Sequence, residues 1–223
     1  MEKRGPFLLL VSVATAALFV VGCQHQESTS FPPGLDALAT DTVPPPQPEG
    51  DGGDEYPETL SLTQGSDSVD NYNYVVATGY VDAPIEAVWA AFQIPNVVVD
   101  RHGITSYTVQ ENVETGYTVS FLTAYTIDGL ATVNFDLTWR EGVVAGTTAD
   151  PTQVSVVYEK TYGSSFISLM EGSIQLVSVT PSVTELEFVQ RMNAEDTSSQ
   201  NIASWTTELF GSVVAQVHGQ PLP

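Results

Sequence analysis

Apolar and polar residues alternate along most of the chain between residues 71 and 192, as they do in strands that bury one face. The run 131–140 is the clearest case, with Val133, Phe135, Leu137 and Trp139 separated by polar residues. Turn-forming residues interrupt these runs and mark the strand ends, as Asp128-Gly129 does for a tight turn. The pattern predicts seven strands, at residues 71–81, 104–111, 116–126, 131–140, 153–161, 166–179 and 183–192.

A helical period replaces this alternation in two places. Near the C terminus, apolar residues recur at spacings of three and four, at Ile202, Trp205, Leu209, Val213 and Val217. This predicts a long amphipathic helix over 197–218, capped by Asp196 or Thr197. A shorter apolar stripe after Pro84 predicts a helix over 82–92. Residues 95–101 fit either a second helical turn or a loop.

The order of these elements is strand, helix, possible short helix, six strands and long helix, which predicts an α+β fold. The segment that links the first strand to the first helix reads Val81-Asp-Ala-Pro-Ile-Glu-Ala-Val-Trp89. It resembles the opening of the START-like superfamily, which includes polyketide cyclases and Bet v 1-type helix-grip domains. The resemblance implies a seven-stranded curved antiparallel sheet wrapped around the C-terminal helix, with one or two short helices after the first strand. It also implies a hydrophobic pocket between sheet and helix.

The first 23 residues have the layout of an export signal: a short charged start, an apolar stretch from Phe7 and small residues at its end. The apolar stretch is short for a transmembrane helix. Val20-Val21-Gly22-Cys23 resembles the lipobox of bacterial lipoproteins, in which the cysteine becomes lipidated. The sequence therefore predicts a signal peptide over 1–22 and a lipid anchor on Cys23. By the same resemblance, Gln24 after the cysteine favours the outer membrane of the cell envelope.

Residues 23–70 are acidic and rich in proline and glycine, and residues 24–70 contain no lysine or arginine. Such a segment buries too little apolar surface to offset its ordering entropy. We therefore predict a disordered tether over 23–70, followed by the folded domain over 71–223.

The charge of the chain limits its partners. The sequence has 27 acidic and 6 basic residues. Without the leader, 26 acidic residues face four basic ones, a formal charge of −22. Such a charge repels phosphate backbones, so nucleic acid is not an expected partner. The expected partners are a small hydrophobic ligand and the membrane that holds Cys23, and the expected oligomeric state is a monomer.

The candidate ligand-binding residues come from two sources. The strand and helix periods turn one set of side chains toward the space between sheet and helix: Phe121, Tyr125, Phe135, Leu137, Trp139, Met170, Leu186, Phe188, Trp205 and Leu209. These side chains either fill a core or line a pocket. Arg101 and His102, within the charged triplet Asp100-Arg101-His102, either orient a ligand at the pocket mouth or form a surface turn.

No sequence motif predicts catalysis, a metal site or a cofactor. His25, His102 and His218 are far apart in the sequence, and the nucleophile elbow and glycine-rich phosphate loops are missing from it. None of the side chains predicted to face inward is a carboxylate. Three functions stay open: binding of a small apolar molecule such as a lipid or polyketide-like metabolite, a cyclase or hydratase with acid and base residues in the pocket, and an interaction domain whose cavity is filled.

Overall fold

The computed structural model describes residues 34–50, 54–101, 103–129 and 131–223. The predicted signal peptide, Cys23 and His102 lie outside the described residues. The described elements, in chain order, are β1 (Leu60–Asp67), β2 (Tyr72–Val81), α1 (Ile85–Phe92), α2 (Pro95–Val98), β3 (Ser106–Glu111), β4 (Val119–Ile127), β5 (Val133–Thr147), β6 (Asp150–Gly163), β7 (Ile167–Thr180), β8 (Val183–Ala194) and α3 (Ser199–Val217).

The strands form one sheet in the order β1-β2-β8-β7-β6-β5-β4-β3. All neighbouring strands are antiparallel, and β2 near the start of the domain pairs with β8, the last strand in the sequence. The buried face of α3 packs on one face of the sheet together with α1 and α2. We call this the inner face of the sheet. The predicted α+β helix-grip architecture is confirmed.

The described residues form a sheet of eight strands rather than the predicted seven. The additional strand, β1, lies in the segment predicted as a disordered tether and pairs with β2 along its whole length. Its sequence has only Leu60 and Leu62 as apolar residues, so its own pattern is weak. The strand forms because β2 offers it an edge to pair with. The predicted domain boundary at residue 71 is therefore wrong.

Residues 34–50, also predicted as tether, lie along the outer face of the sheet, and we call them the strap. Leu38 is 3% exposed, and its backbone N–H donates to Ser173 Oγ at 2.9 Å. Arg191 donates to the carbonyl of Ala39, and Gln47 donates to the Glu185 carboxylate. The composition of this segment predicted disorder, and that prediction failed because composition does not reveal contacts with residues far away in the sequence.

The ends of several elements differ from the prediction. β5 continues to Thr147 and β6 begins at Asp150, so the loop predicted between residues 141 and 151 is mostly strand. Asp128-Gly129 lies in a connection that runs from residue 128 to residue 132, longer than a tight turn. α3 is capped by Ser198, whose side chain accepts from the N–H of Asn201, rather than by Asp196 or Thr197.

Candidate functional site

One half of the space between the sheet and α3 is filled by aromatic side chains. Phe121 stacks on Trp139 with 5.7 Å between ring centroids, and Trp139 contacts Tyr158 at 4.5 Å. Trp205 of α3 meets the Tyr158 ring edge-on at 5.6 Å. The Trp139 indole N–H donates to Thr123 Oγ1 at 3.2 Å, so its polar tip is satisfied inside the core.

The other half holds a cavity of about 380 Å³. Its walls come from the inner face of β4, β5, β7 and β8, the start of α3 and the loop after α2. The lining residues are mostly apolar: Ile104, Tyr125, Ile127, Val133, Phe135, Phe166, Ile167, Met170, Met192, Ala194, Ile202 and Trp205, with Asp100, Gly103, Glu195, Thr197 and Asn201 as the others.

The sheet itself explains why a space remains at this end. The ladder between β6 and β7 joins residues 153–159 to 171–177 and ends at the pair Glu159 and Glu171. Beyond that pair, β6 continues against β5, and β7 continues against β8. The two strands therefore part beside the cavity. Ile167 and Met170 line the cavity on the β7 side of this split.

Four of the predicted ligand-binding residues line the cavity: Tyr125, Phe135, Met170 and Trp205. Tyr125 and Phe135 stack with 4.9 Å between ring centroids and form one wall. Burial raises the pKa of Tyr125, so its hydroxyl stays protonated at neutral pH.

The other predicted inward residues are buried, but they are core residues and not cavity walls: Phe121, Leu137, Trp139, Leu186, Phe188 and Leu209. Their strand and helix positions give the correct face. They pack against each other because they lie farther along their strands and helix from the end of the sheet that holds the cavity. Alternation in sequence does not contain that second piece of information.

Arg101 does not face the cavity. Its guanidinium donates to the carbonyl of Asn96 at 2.7 Å, to Ser212 Oγ at 3.1 Å and to the carbonyl of Pro223 at 2.9 Å. The side chain therefore ties α2, α3 and the C-terminal tail together. The prediction that Arg101 orients a ligand is corrected to a structural role, and His102 lies outside the part of the chain that the structure describes.

Glu141 is an inward carboxyl group that the sequence analysis missed. It is fully buried, and the Trp89 indole N–H donates to its Oε2 at 2.8 Å. Burial raises the pKa of Glu141 to about 8, although the hydrogen bond from Trp89 opposes the shift. The alternation that puts Trp139 on the inner face places Glu141 there too, so the signal was present in the sequence. Glu141 does not line the cavity.

Lys160 is a second buried ionisable group that the sequence analysis did not place inside. Its residue is 4% exposed, and no hydrogen-bond partner for its Nζ exists among the described residues. Burial lowers the pKa of Lys160. It alternates along β6 with Tyr158, which belongs to the aromatic core, so it lies on the inner face.

Metal-binding clusters and membrane-spanning helices are both missing from residues 34–50, 54–101, 103–129 and 131–223. These residues contain no group of three or more His, Cys, Asp or Glu side chains placed to hold a metal ion. None of their helices has both the length and the apolar character needed to cross a membrane.

No protein-family model matches the sequence, and no curated protein matches it either. Among solved structures, the human StarD13 lipid transfer and protein localization domain is similar with a TM-score of 0.49 and 14% identity, over 75% of this chain and 87% of that one. Human StAR-related lipid transfer protein 5 gives a TM-score of 0.49 and 10% identity, over 74% of this chain and 84% of that one.

An aromatase/cyclase, Zhui from Streptomyces, gives a TM-score of 0.43 and 12% identity, over 67% of this chain and 93% of that one. Scores and identities this low carry no information on ligand or activity. The architecture of the chain itself defines the fold: a helix-grip arrangement with an apolar cavity between the sheet and the C-terminal helix.

Proposed function

We propose that this chain is a lipid-anchored protein of the bacterial cell envelope whose helix-grip domain binds a small hydrophobic molecule in the cavity. The cavity between Tyr125, Met170 and Trp205 carries this proposal. Its volume of about 380 Å³ lies at the lower end of the range for ligand pockets, roughly 300–1,000 Å³. A single small ligand fits that space.

The chemistry of the walls favours burial of apolar surface as the source of affinity. The deeper walls carry aromatic, aliphatic and methionine side chains, whereas the carboxyl groups of Asp100 and Glu195 stand near exposed loops. Met170 and Met192 face each other across β7 and β8. Methionine side chains adapt to irregular ligands because they are unbranched and flexible.

The wall composition favours binding over catalysis and over a filled interaction domain. A cyclase or hydratase needs an acid and a base that converge on the substrate. The inward carboxyl group of Glu141 does not line the cavity, and the Tyr125 hydroxyl stays protonated. The aromatic core fills only part of the space under α3, which argues against the filled domain.

The anchor part of the proposal rests on the leader and Cys23. If residues 1–22 are removed and Cys23 is lipidated, residues 24–33 link the acyl chains to the strap. Ten residues extend at most about 36 Å, so the domain stays close to the membrane surface. A ligand of the envelope would then have a short path to the cavity.

Native mass spectrometry of the full chain, purified in detergent from a bacterial envelope, tests the proposal. We expect one apolar adduct per chain, which organic extraction identifies. Ala194→Trp places an indole among the cavity walls and should abolish the adduct. Val69→Trp adds the same side chain at an exposed turn and should keep it.

A chain without adduct that also takes up no fatty alcohol or sterol would refute the ligand-binding part. The N-terminal peptide in the same sample tests the anchor independently. We expect it to begin at Cys23 and to carry the mass of acyl chains. An unmodified cysteine would refute the anchor and leave the ligand result standing.

A further inference from the structure

Lys160 is a buried cation for which the described part of the chain supplies no partner. Its Nζ is inaccessible to solvent and donates no hydrogen bond to any of the described residues. An ammonium group without a partner is strongly unfavourable in a protein interior. Buried polar groups in native proteins are nearly always satisfied, so this lysine requires an explanation.

Strand register places Lys160 next to the cavity. Leu137 of β5 stands opposite Lys160, and Glu159 of β6 stands opposite Glu171 of β7. One step beyond that last pair, Lys160 stands level with Met170, which lines the cavity. Lys160 is therefore located at the point where β6 and β7 part.

Among the described residues, no anionic side chain stands next to Lys160 on the inner face. Glu159 and Glu171 alternate to the outer face, where arginine side chains bind both. Glu141 is the inward carboxyl group on β5, but it lies four residues beyond Leu137, roughly 13 Å along the strand. The described residues therefore supply no anionic partner for Lys160 on this face.

A second hydrogen-bond donor lies on the same face of β6. The Tyr158 hydroxyl is fully buried and has no hydrogen-bond partner in the described residues. Burial raises its pKa well above the usual value, so it remains a donor. A Cβ atom on Gly172 would stand 2.3 Å from this hydroxyl, which places the hydroxyl over the glycine of the neighbouring strand. Lys160 and Tyr158 thus present two donors without an acceptor.

We propose that the ligand is an amphipathic carboxylate, an apolar chain ending in a carboxylic acid, whose carboxylate binds Lys160 and the Tyr158 hydroxyl while its chain occupies the cavity. This inference rests on the proposed function and names its ligand class. Met170 lines the cavity level with Lys160, and its flexible side chain can move aside as the head group enters. A carboxylate satisfies both donors and neutralises the buried charge.

The acidic surface of the domain does not prevent a carboxylate from binding. Asp100 and Glu195 near the cavity mouth repel an anion, as does the net charge of the chain. Exposed charges are screened over about 8 Å at physiological ionic strength. The contact with Lys160 is buried and much less screened, so it dominates the affinity.

Binding of decanoate and of decanol to the full chain tests the inference, because the two probes share a chain length and differ in the head group. We expect the wild-type protein to bind decanoate about tenfold to a hundredfold more tightly than decanol. Lys160→Met removes the ammonium group but keeps an unbranched side chain only one atom shorter, and it should bring the two affinities together. Tyr158→Phe removes one donor and should lose part of the preference.

Four outcomes overturn the inference. Equal affinities for decanoate and decanol in the wild-type protein would mean that water or another group satisfies Lys160, while the proposed function stands. An unchanged decanoate preference in Lys160→Met would place the head group elsewhere. Binding of neither probe would refute the proposed function as well. If Lys160→Met does not fold, a wild-type preference for decylamine over decanoate refutes the carboxylate without any variant.

Discussion

Replacement of Glu141 by glutamine should make the protein more stable in alkaline solution. The carboxyl group is fully buried, and its Oε1 has no hydrogen-bond partner in the described residues. Its pKa is raised from 4.5 to about 8 in the folded protein. The folded state therefore keeps a proton that the unfolded chain releases over that pH interval. Glutamine is isosteric, stays neutral and still accepts from the Trp89 indole.

The sign and size follow from proton linkage. Below about pH 4.5 both states bind the proton, and Glu141 imposes no ionisation cost. As the pH rises from about 4.5 to about 8, the free energy of unfolding of the wild-type protein falls by about 1.4 kcal/mol per pH unit from this group alone. Above about pH 8 the cost is constant. Over the roughly 3.5 pH units between the two pKa values the loss is on the order of 5 kcal/mol, a large fraction of a typical free energy of unfolding.

Chemical denaturation followed by tryptophan fluorescence measures this difference, at several values from about pH 5 to about pH 9. We expect the Glu141→Gln variant and the wild-type protein to approach each other in free energy of unfolding near pH 5 and to differ by on the order of 5 kcal/mol at pH 9. Glu187→Gln changes an exposed carboxylate on β8 and should show no comparable pH dependence. A difference that stays flat across this range would refute the buried, proton-bearing carboxyl group.

Three other substitutions test contacts of the fold. Leu38→Ala removes a buried side chain and should lower the free energy of unfolding by about 2 kcal/mol and make the strap susceptible to limited proteolysis. Val43→Ala changes a strap position that is 81% exposed and should have neither effect. Equal digestion of both variants would show that the strap is not docked on the sheet. Arg101→Met should lower the thermal midpoint of unfolding and speed hydrogen exchange in the C-terminal tail, without changing ligand affinity. A loss of ligand binding in this variant would show that Arg101 belongs to the binding site. Gly172→Ala should destabilise the protein by about 1–3 kcal/mol, because the Cβ of the new alanine would meet the Tyr158 ring. A thermal melt measures this loss, and an unchanged melting temperature would contradict the close packing of Tyr158 on Gly172.

The sequence was sufficient for the architecture because periodicity reports which face of an element is buried. The stripe from Ile202 to Val217 and the alternation around Trp139 predict a helix packed on a sheet, and this is observed. The same alternation extends to Glu141, whose burial could have been predicted. A charged residue at an inward position was not expected there, because such residues are rarely buried.

The cavity could be predicted only in part. Tyr125 and Trp139 occupy equivalent positions in the alternation of neighbouring strands, yet one lines the cavity and the other fills the core. The difference depends on where the ladder between β6 and β7 ends, which is a property of three-dimensional register. Strand β1 and the strap were missed because long-range pairing, and not local composition, holds them in place.

The methionine methyl groups offer the most direct test of the account. The sequence has three methionines, and two of them, Met170 and Met192, line the cavity, while Met1 lies in the leader. In methyl-labelled full chain titrated with decanoate, the NMR signals of Met170 and Met192 should shift in a saturable way, and the ligand chain should show nuclear Overhauser contacts to both. Saturable binding that leaves both signals unmoved would contradict a ligand in this cavity.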